Sequence, residues 1–171
     1  MLDKPLRVIL CGCFGGRGYQ ILKEWAVRAR RIGVPIYLVP ELHPAPTEDS
    51  DQIRAASRRA IEDSHTAGVI LVILSYKTLQ VSPEVVDRTG GLGVEREIAE
   101  ACGKKLGLLF DDWRDLETNK VSSLLKPGKR ELVFWAETPG DLEDLFAKCV
   151  SLALALLEEA VYEKAMCLKL E

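Results

Sequence analysis

Apolar residues along this chain fall into short, nearly continuous runs separated by longer stretches in which they recur every three or four positions. The runs Leu6 to Cys11, Val34 to Val39, Gly68 to Leu74, Lys105 to Phe110 and Glu131 to Trp135 predict five strands. Strands apolar on both faces belong inside a sheet covered by two helical layers, and parallel neighbours need helical crossovers between them. The intervening pattern supplies them, with helices expected from Gly18 to Ile32, Asp49 to His65, Val94 to Cys102 and Leu116 to Leu125, and a long last helix from about Pro139 into the tail. This alternation predicts an α/β fold, a three-layer flavodoxin-like (Rossmann-like) sandwich with five parallel strands in the order 2-1-3-4-5.

Local punctuation agrees with that plan. Gly33-Val34-Pro35 ends the first helix, because glycine caps it and proline cannot continue it. Pro40, Pro44 and Pro46 mark a loop that leads through Thr47-Glu48-Asp49-Ser50 into the next helix and is placed to lie over a pocket. The last helix carries an apolar band from Leu142 to Val161 that is wider than one sheet face requires. Spacing alone leaves two readings open: part of the band meets a second copy in a homodimer or higher homo-oligomer, or one chain covers it all.

Length and composition fit one domain over residues 1–171, since 47% hydrophobic and 29% charged side chains suit a compact body with a substantial core. A formal charge of −3 gives no basic face for duplex nucleic acid. No apolar stretch reaches the ~20 residues that span a bilayer and no signal-peptide pattern opens the chain, so no membrane is expected as a partner and the expected location is cytoplasmic. Cys11, Cys13, Cys102, Cys149 and Cys167 lack metal-ligand spacing and read as reduced, mostly buried thiols, and the sequence calls for no metal or cofactor.

Candidate chemistry lies in loops at the carboxyl ends of the central strands, the ligand edge of such sheets. The first is Cys11-Gly12-Cys13-Phe14-Gly15-Gly16-Arg17-Gly18, whose glycines permit tight turns and close backbone approach, with Arg17 as a charged fork for an anion. It reads equally as a turn chosen for backbone geometry. The second runs from Ser75-Tyr76 through Ser82-Pro83 to Gly93, long enough to form a pocket wall or lid. Expected ligand contacts are Gly12, Cys13, Phe14, Gly15, Gly16 and Arg17 from the first loop, and Ser75, Thr89, Gly91 and Gly93 from the second. Glu95 and Glu97 then open a helix near its positive end; only one of them can face a pocket, because successive helical residues are ~100° apart.

The first loop, together with Gly91-Leu92-Gly93-Val94-Glu95-Arg96-Glu97-Ile98-Ala99-Glu100-Ala101, resembles the nucleoside 2-deoxyribosyltransferase superfamily, and most closely its 2′-deoxynucleoside 5′-monophosphate N-glycosidases. The resemblance extends over most of residues 6 to 110. It implies cleavage or transfer at the N-glycosidic bond of a nucleotide or nucleoside, with the glycine loop holding a 5′-phosphate or hydroxyl. Glu97, followed by Ile98 and Ala99, matches the family's catalytic glutamate. Asp63 is the acid nearest to the family's aspartate, which lies earlier in the helix before strand three. Cys13 stands where the family has serine, and Gly91 where it has a hydroxyl residue. TIR-type domains share a similar outline, with Ser75, Ser82-Pro83 and Glu97 in matching places, and imply NAD as ligand. A nucleotide-binding sensor without turnover also stays open.

Four other polar residues read as structural at this stage. His43 and His65 are expected at the surface or at a helix cap, and Asp111 and Asp112 as solvated loop acids.

Overall fold

The computed structural model describes residues 5–44, 49–117 and 131–170. Five parallel strands, β1 (Arg7–Gly12), β2 (Ile36–Leu38), β3 (Thr66–Ile73), β4 (Lys105–Phe110) and β5 (Leu132–Trp135), form one sheet in the order β2-β1-β3-β4-β5, as the sequence predicts. Among the described residues six helices accompany them: α1 (Gly18–Arg31), α2 (Val39–Leu42), α3 (Ser50–Glu62), α4 (Tyr76–Leu79), α5 (Leu92–Ala101) and α6 (Leu142–Leu170).

Alternation along the strands divides the core in two. Val8, Leu10, Ile70 and Val72 face α1 and α6, where they meet Leu22, Trp25, Leu145, Cys149, Leu152 and Leu156. Ile9, Val69, Leu71, Ile73, Leu108 and Phe110 face α3 and α5, against Ala60, Ile61, Leu92, Ile98 and Ala99. β3 is buried along its whole length, so its side chains drive burial on both faces at once. On β4, Gly107 lets α6 approach closely: a Cβ there would come within 2.8 Å of the Leu152 side chain.

Several boundaries differ from the sequence reading. The proline-rich segment after β2 begins as the short helix α2, fixed by Glu41, whose carboxylate accepts from Lys23, from Arg30 and from the Leu38 backbone N–H at 2.9 Å. The long loop after β3 holds helix α4, capped by Ser75 at its start. Arg88 braces the remainder by pairing both guanidinium nitrogens with Asp115 at 2.6 Å. Trp113–Glu117 is a 3₁₀ turn, and the rest of the helix expected to reach Leu125 lies outside the described residues. Asp49 caps α3 by accepting from the Asp51 N–H at 2.8 Å, as the capping-rich loop suggests.

The chain covers part of the apolar band of α6 and leaves part of it exposed. Leu145, Cys149, Leu152, Ala153 and Leu156 are buried on the sheet, whereas residues 161–169 are exposed, Val161, Tyr162, Met166 and Leu168 among them. Among the described residues, no helix is long and apolar enough to cross a membrane.

Candidate functional site

At the carboxyl end of β1 a hollow of about 380 Å³ opens on the α3/α5 side of the sheet. Its floor is Leu10, Cys11 and Gly12, and Cys13 and Phe14 of the glycine loop form one wall. Val39, Pro40 and His43 from α2 and its end close a second side, with Ile53, Ala56 and Ser57 of α3 and Gly90, Gly91 and Glu95 completing the ring. A volume of this size accepts a small organic ligand, and the position beside β1 and β3 is where strand order reverses in this topology.

Three polar side chains, those of Glu95, Ser57 and His43, line this space without side-chain partners among the described residues. The Glu95 carboxyl has no hydrogen bond or ion pair among the described residues, and removal from water pushes its pKa up to about 8. It does so although Glu95 sits in the first turn of α5, where the helix dipole favours a negative charge, so desolvation is the larger effect here. Ser57, only 4% exposed, likewise presents a hydroxyl with no partner among the described residues. Cys11 stays a thiol, because burial foremost, and then the nearby Glu95, push its pKa well above the usual range.

The placement of the expected catalytic glutamate is corrected. Glu97 is exposed and does not line the hollow; Glu95 does. Leu92 and Ala99 define the buried stripe of α5, Glu95 lies on it three residues after Leu92, and Glu97 is rotated roughly 140° from Leu92. Asp63 is likewise far from the hollow by topology. It ends α3 at the amino edge of the sheet, where its side chain pairs with Arg7 at 3.2 Å and with His65 at 3.0 Å. Among the described residues the hollow therefore holds a single carboxyl, and His65 sits beside Asp63 at the end of α3 with its backbone N–H donating to the Asp63 carboxylate at 2.8 Å.

The expected ligand contacts separate into two groups. Gly12, Cys13, Phe14 and Gly91 line the hollow. Gly15, Gly16, Arg17, Ser75, Thr89 and Gly93 do not, and each of the first five has a local structural reason. Gly15 packs against Val86, and Gly16, at φ +54°, sits where a Cβ would fall 2.1 Å from the Leu79 carbonyl oxygen. The Arg17 N–H donates to that same carbonyl at 2.8 Å and the Gly18 N–H to Gly15 at 2.9 Å, so these two amides at the start of α1 are already committed. Thr89 donates its hydroxyl to Asp87 at 2.9 Å, inside its own turn. Ser75 accepts from the Thr78 N–H at 3.2 Å and donates to Asp111 at 2.7 Å.

Asp111 is the second correction, since it is fully buried rather than a solvated loop acid. It accepts from the Ser75 N–H, the Ser75 hydroxyl, the Thr78 hydroxyl at 2.6 Å and the Gly140 N–H at 2.7 Å, tying the loops after β3, β4 and β5 together. Sequence reasoning left Glu95 as the alternative to Glu97 and passed over His43 and Ser57 as hollow-lining groups. The signal for Glu95 was its spacing from Leu92 and Ala99; His43 follows the carboxyl end of β2, and Ser57 belongs to the buried stripe of α3. Among the described residues, no cluster of three His, Cys, Asp or Glu side chains suits a metal ion.

Comparison with known proteins places the chain only distantly. No family model and no curated protein matches it. A solved structure that it resembles is the Vibrio vulnificus NanR protein complexed with ManNAc-6P, at 17% identity and a TM-score of 0.39. The match covers 93% of this chain but 49% of that one, so the chain spans about half the length of that protein.

Proposed function

We propose that the hollow binds a nucleoside or nucleotide and that Glu95 acts on its N-glycosidic bond. The observation that carries this reading is a carboxyl held without a partner in a largely apolar recess, pushed up to about 8 and therefore protonated at neutral pH. A protonated carboxyl can give its proton to the departing nitrogen of a base as the C–N bond breaks and its electron pair moves onto that nitrogen. The carboxylate left behind then compensates the positive charge on the anomeric carbon, or bonds to it. Water adding to that carbon returns a proton to Glu95 and completes the hydrolysis. Phe14 at the wall supplies an apolar ring face for a planar base, and Ser57 a hydroxyl for the sugar.

A second reading, binding without turnover, is favoured by the presence of one carboxyl among the described residues of the hollow, where glycoside chemistry commonly uses two. One experiment separates them: a panel of nucleosides, deoxynucleoside monophosphates and NAD is incubated with the wild type, Glu95→Gln and Glu97→Gln, and free base is measured by chromatography. The enzymatic reading expects base release that falls at least ~100-fold in Glu95→Gln, stays within ~3-fold in Glu97→Gln, and declines above about pH 8 as the acid form is lost. Saturable binding with no base release establishes the sensor. Undiminished release by Glu95→Gln refutes the assignment.

A further inference from the structure

Across the glycine loop from the Glu95 hollow lies a second one, of about 470 Å³, whose chemistry is different. Four loops at the carboxyl edge contribute to it: Arg17 follows β1, Ser75, Lys77 and Thr78 follow β3, Asp112 and Arg114 follow β4, and Gly140 and Leu142 follow β5. Its charges do not cancel. Arg114 and Asp112 neutralise each other in a forked pair with contacts of 2.6 to 3.1 Å. The buried Asp111 beneath is taken up by two N–H and two O–H donors. Arg17 and Lys77 remain, and neither has an ion pair or side-chain hydrogen bond among the described residues.

Both cations stand on one rigid support. The Arg17 N–H donates to the Leu79 carbonyl oxygen, and Leu79 closes the same helical turn that carries Lys77, so the backbone positions of the two residues hold a fixed relation. Leu142, the first residue of the 29-residue helix α6, also lines this space, but the start of that helix is already capped by the Asp141 carboxylate, which accepts from the Asp144 N–H at 3.1 Å, so the anion-binding charge comes from Arg17 and Lys77. The Ser75 and Thr78 hydroxyls give their protons to Asp111, which leaves lone pairs that accept from a donor.

We infer that this second hollow is an anion site for a small phosphate monoester, with Arg17 and Lys77 holding the phosphoryl oxygens and the Ser75–Thr78 side receiving hydroxyl groups of the ester. A cationic fork and a point charge together suit a dianionic phosphoryl group, and the volume exceeds what a bare phosphate fills. This inference stands apart from the N-glycosidic reading, because no residue that lines one hollow lines the other.

The test is calorimetric titration at low ionic strength with ribose 5-phosphate, inorganic phosphate and ribose, on the wild type, Arg17→Ala, Lys77→Ala, the double variant and Glu95→Gln. Ribose 5-phosphate is expected to bind saturably and more tightly than inorganic phosphate, with ribose silent. Each single variant weakens it about tenfold, the double variant abolishes it, and Glu95→Gln leaves it unchanged. Arg17 and Lys77 are exposed, so melting temperatures of the variants are expected to stay at the wild-type value and to report folding independently. Equal affinity for ribose and its phosphate, undiminished binding by the double variant, or no saturable phosphate binding by the wild type overturns the inference.

Discussion

Glu95→Gln separates the electrostatic cost of the hollow from its shape, because glutamine keeps the volume and removes the ionisation. In the folded protein the Glu95 carboxyl titrates at about 8, against an ordinary 4.5, so between those values the folded state holds a proton that the unfolded chain has released. Stability must therefore fall as pH rises through that window, and the loss is complete above the folded value. The full displacement corresponds to ~5 kcal/mol, and contact of the partly exposed side chain with solvent reduces the expected loss to ~2–3 kcal/mol. Urea denaturation of wild type and variant from pH 5 to pH 9 measures it, since every other titrating group is common to both chains. The two proteins are expected to agree within ~0.5 kcal/mol at pH 5 and to diverge steadily, with the variant more stable by ~2–3 kcal/mol at pH 9. A difference that stays flat across this range would refute the claim that Glu95 is desolvated.

Three further outcomes follow from particular contacts. Asp111→Asn keeps one acceptor oxygen for four donors, so a loss of ~3 kcal/mol is expected by urea denaturation, against ~1 kcal/mol for Ser75→Ala. Arg88→Ala removes the paired contacts with Asp115 that brace the segment leading to Gly90 and Gly91; cleavage between residues 80 and 91 in limited proteolysis is expected to speed up at least ~5-fold, and unchanged cleavage would place the bracing elsewhere. For the exposed end of α6 the proposed occupant is a second copy of the chain. Leu154, Val161 and Leu168 are exposed and recur at heptad spacing, the pattern by which one helix seats against a second copy of itself. Sedimentation should then show a dimer that Val161→Glu with Leu168→Glu converts to monomer, and a monomeric wild type would count against this surface.

The layered fold was legible in the chain because burial on both faces leaves a direct trace: β3 is apolar without interruption from Ala67 to Ile73, and helical spacing between the runs forces right-handed crossovers. Short-range signals also survived, as at Asp49, whose side chain caps α3 within its own turn. The loop after β3 was less transparent, because what orders it is the pairing of Arg88 with Asp115, 27 residues away. Asp111 looked like any loop acid until residues from two other loops closed over it.

The two glutamates of α5 mark where the sequence stops. Residue order alone established that Glu95 and Glu97 start a helix at the ligand edge and cannot share one direction, since that follows from helical geometry. Which of them enters a hollow depended on how Leu92 and Ala99 seat the helix against the sheet, and so on the rotation of one element against another. The same holds for Arg17: its place in a glycine loop is written in the chain, but the Leu79 carbonyl that anchors its amide, and the second hollow that its side chain lines, exist only once β1 and β3 lie side by side. Local periodicity records burial and turn chemistry along the backbone, whereas the facing of side chains across loops is set by long-range packing that no single segment encodes.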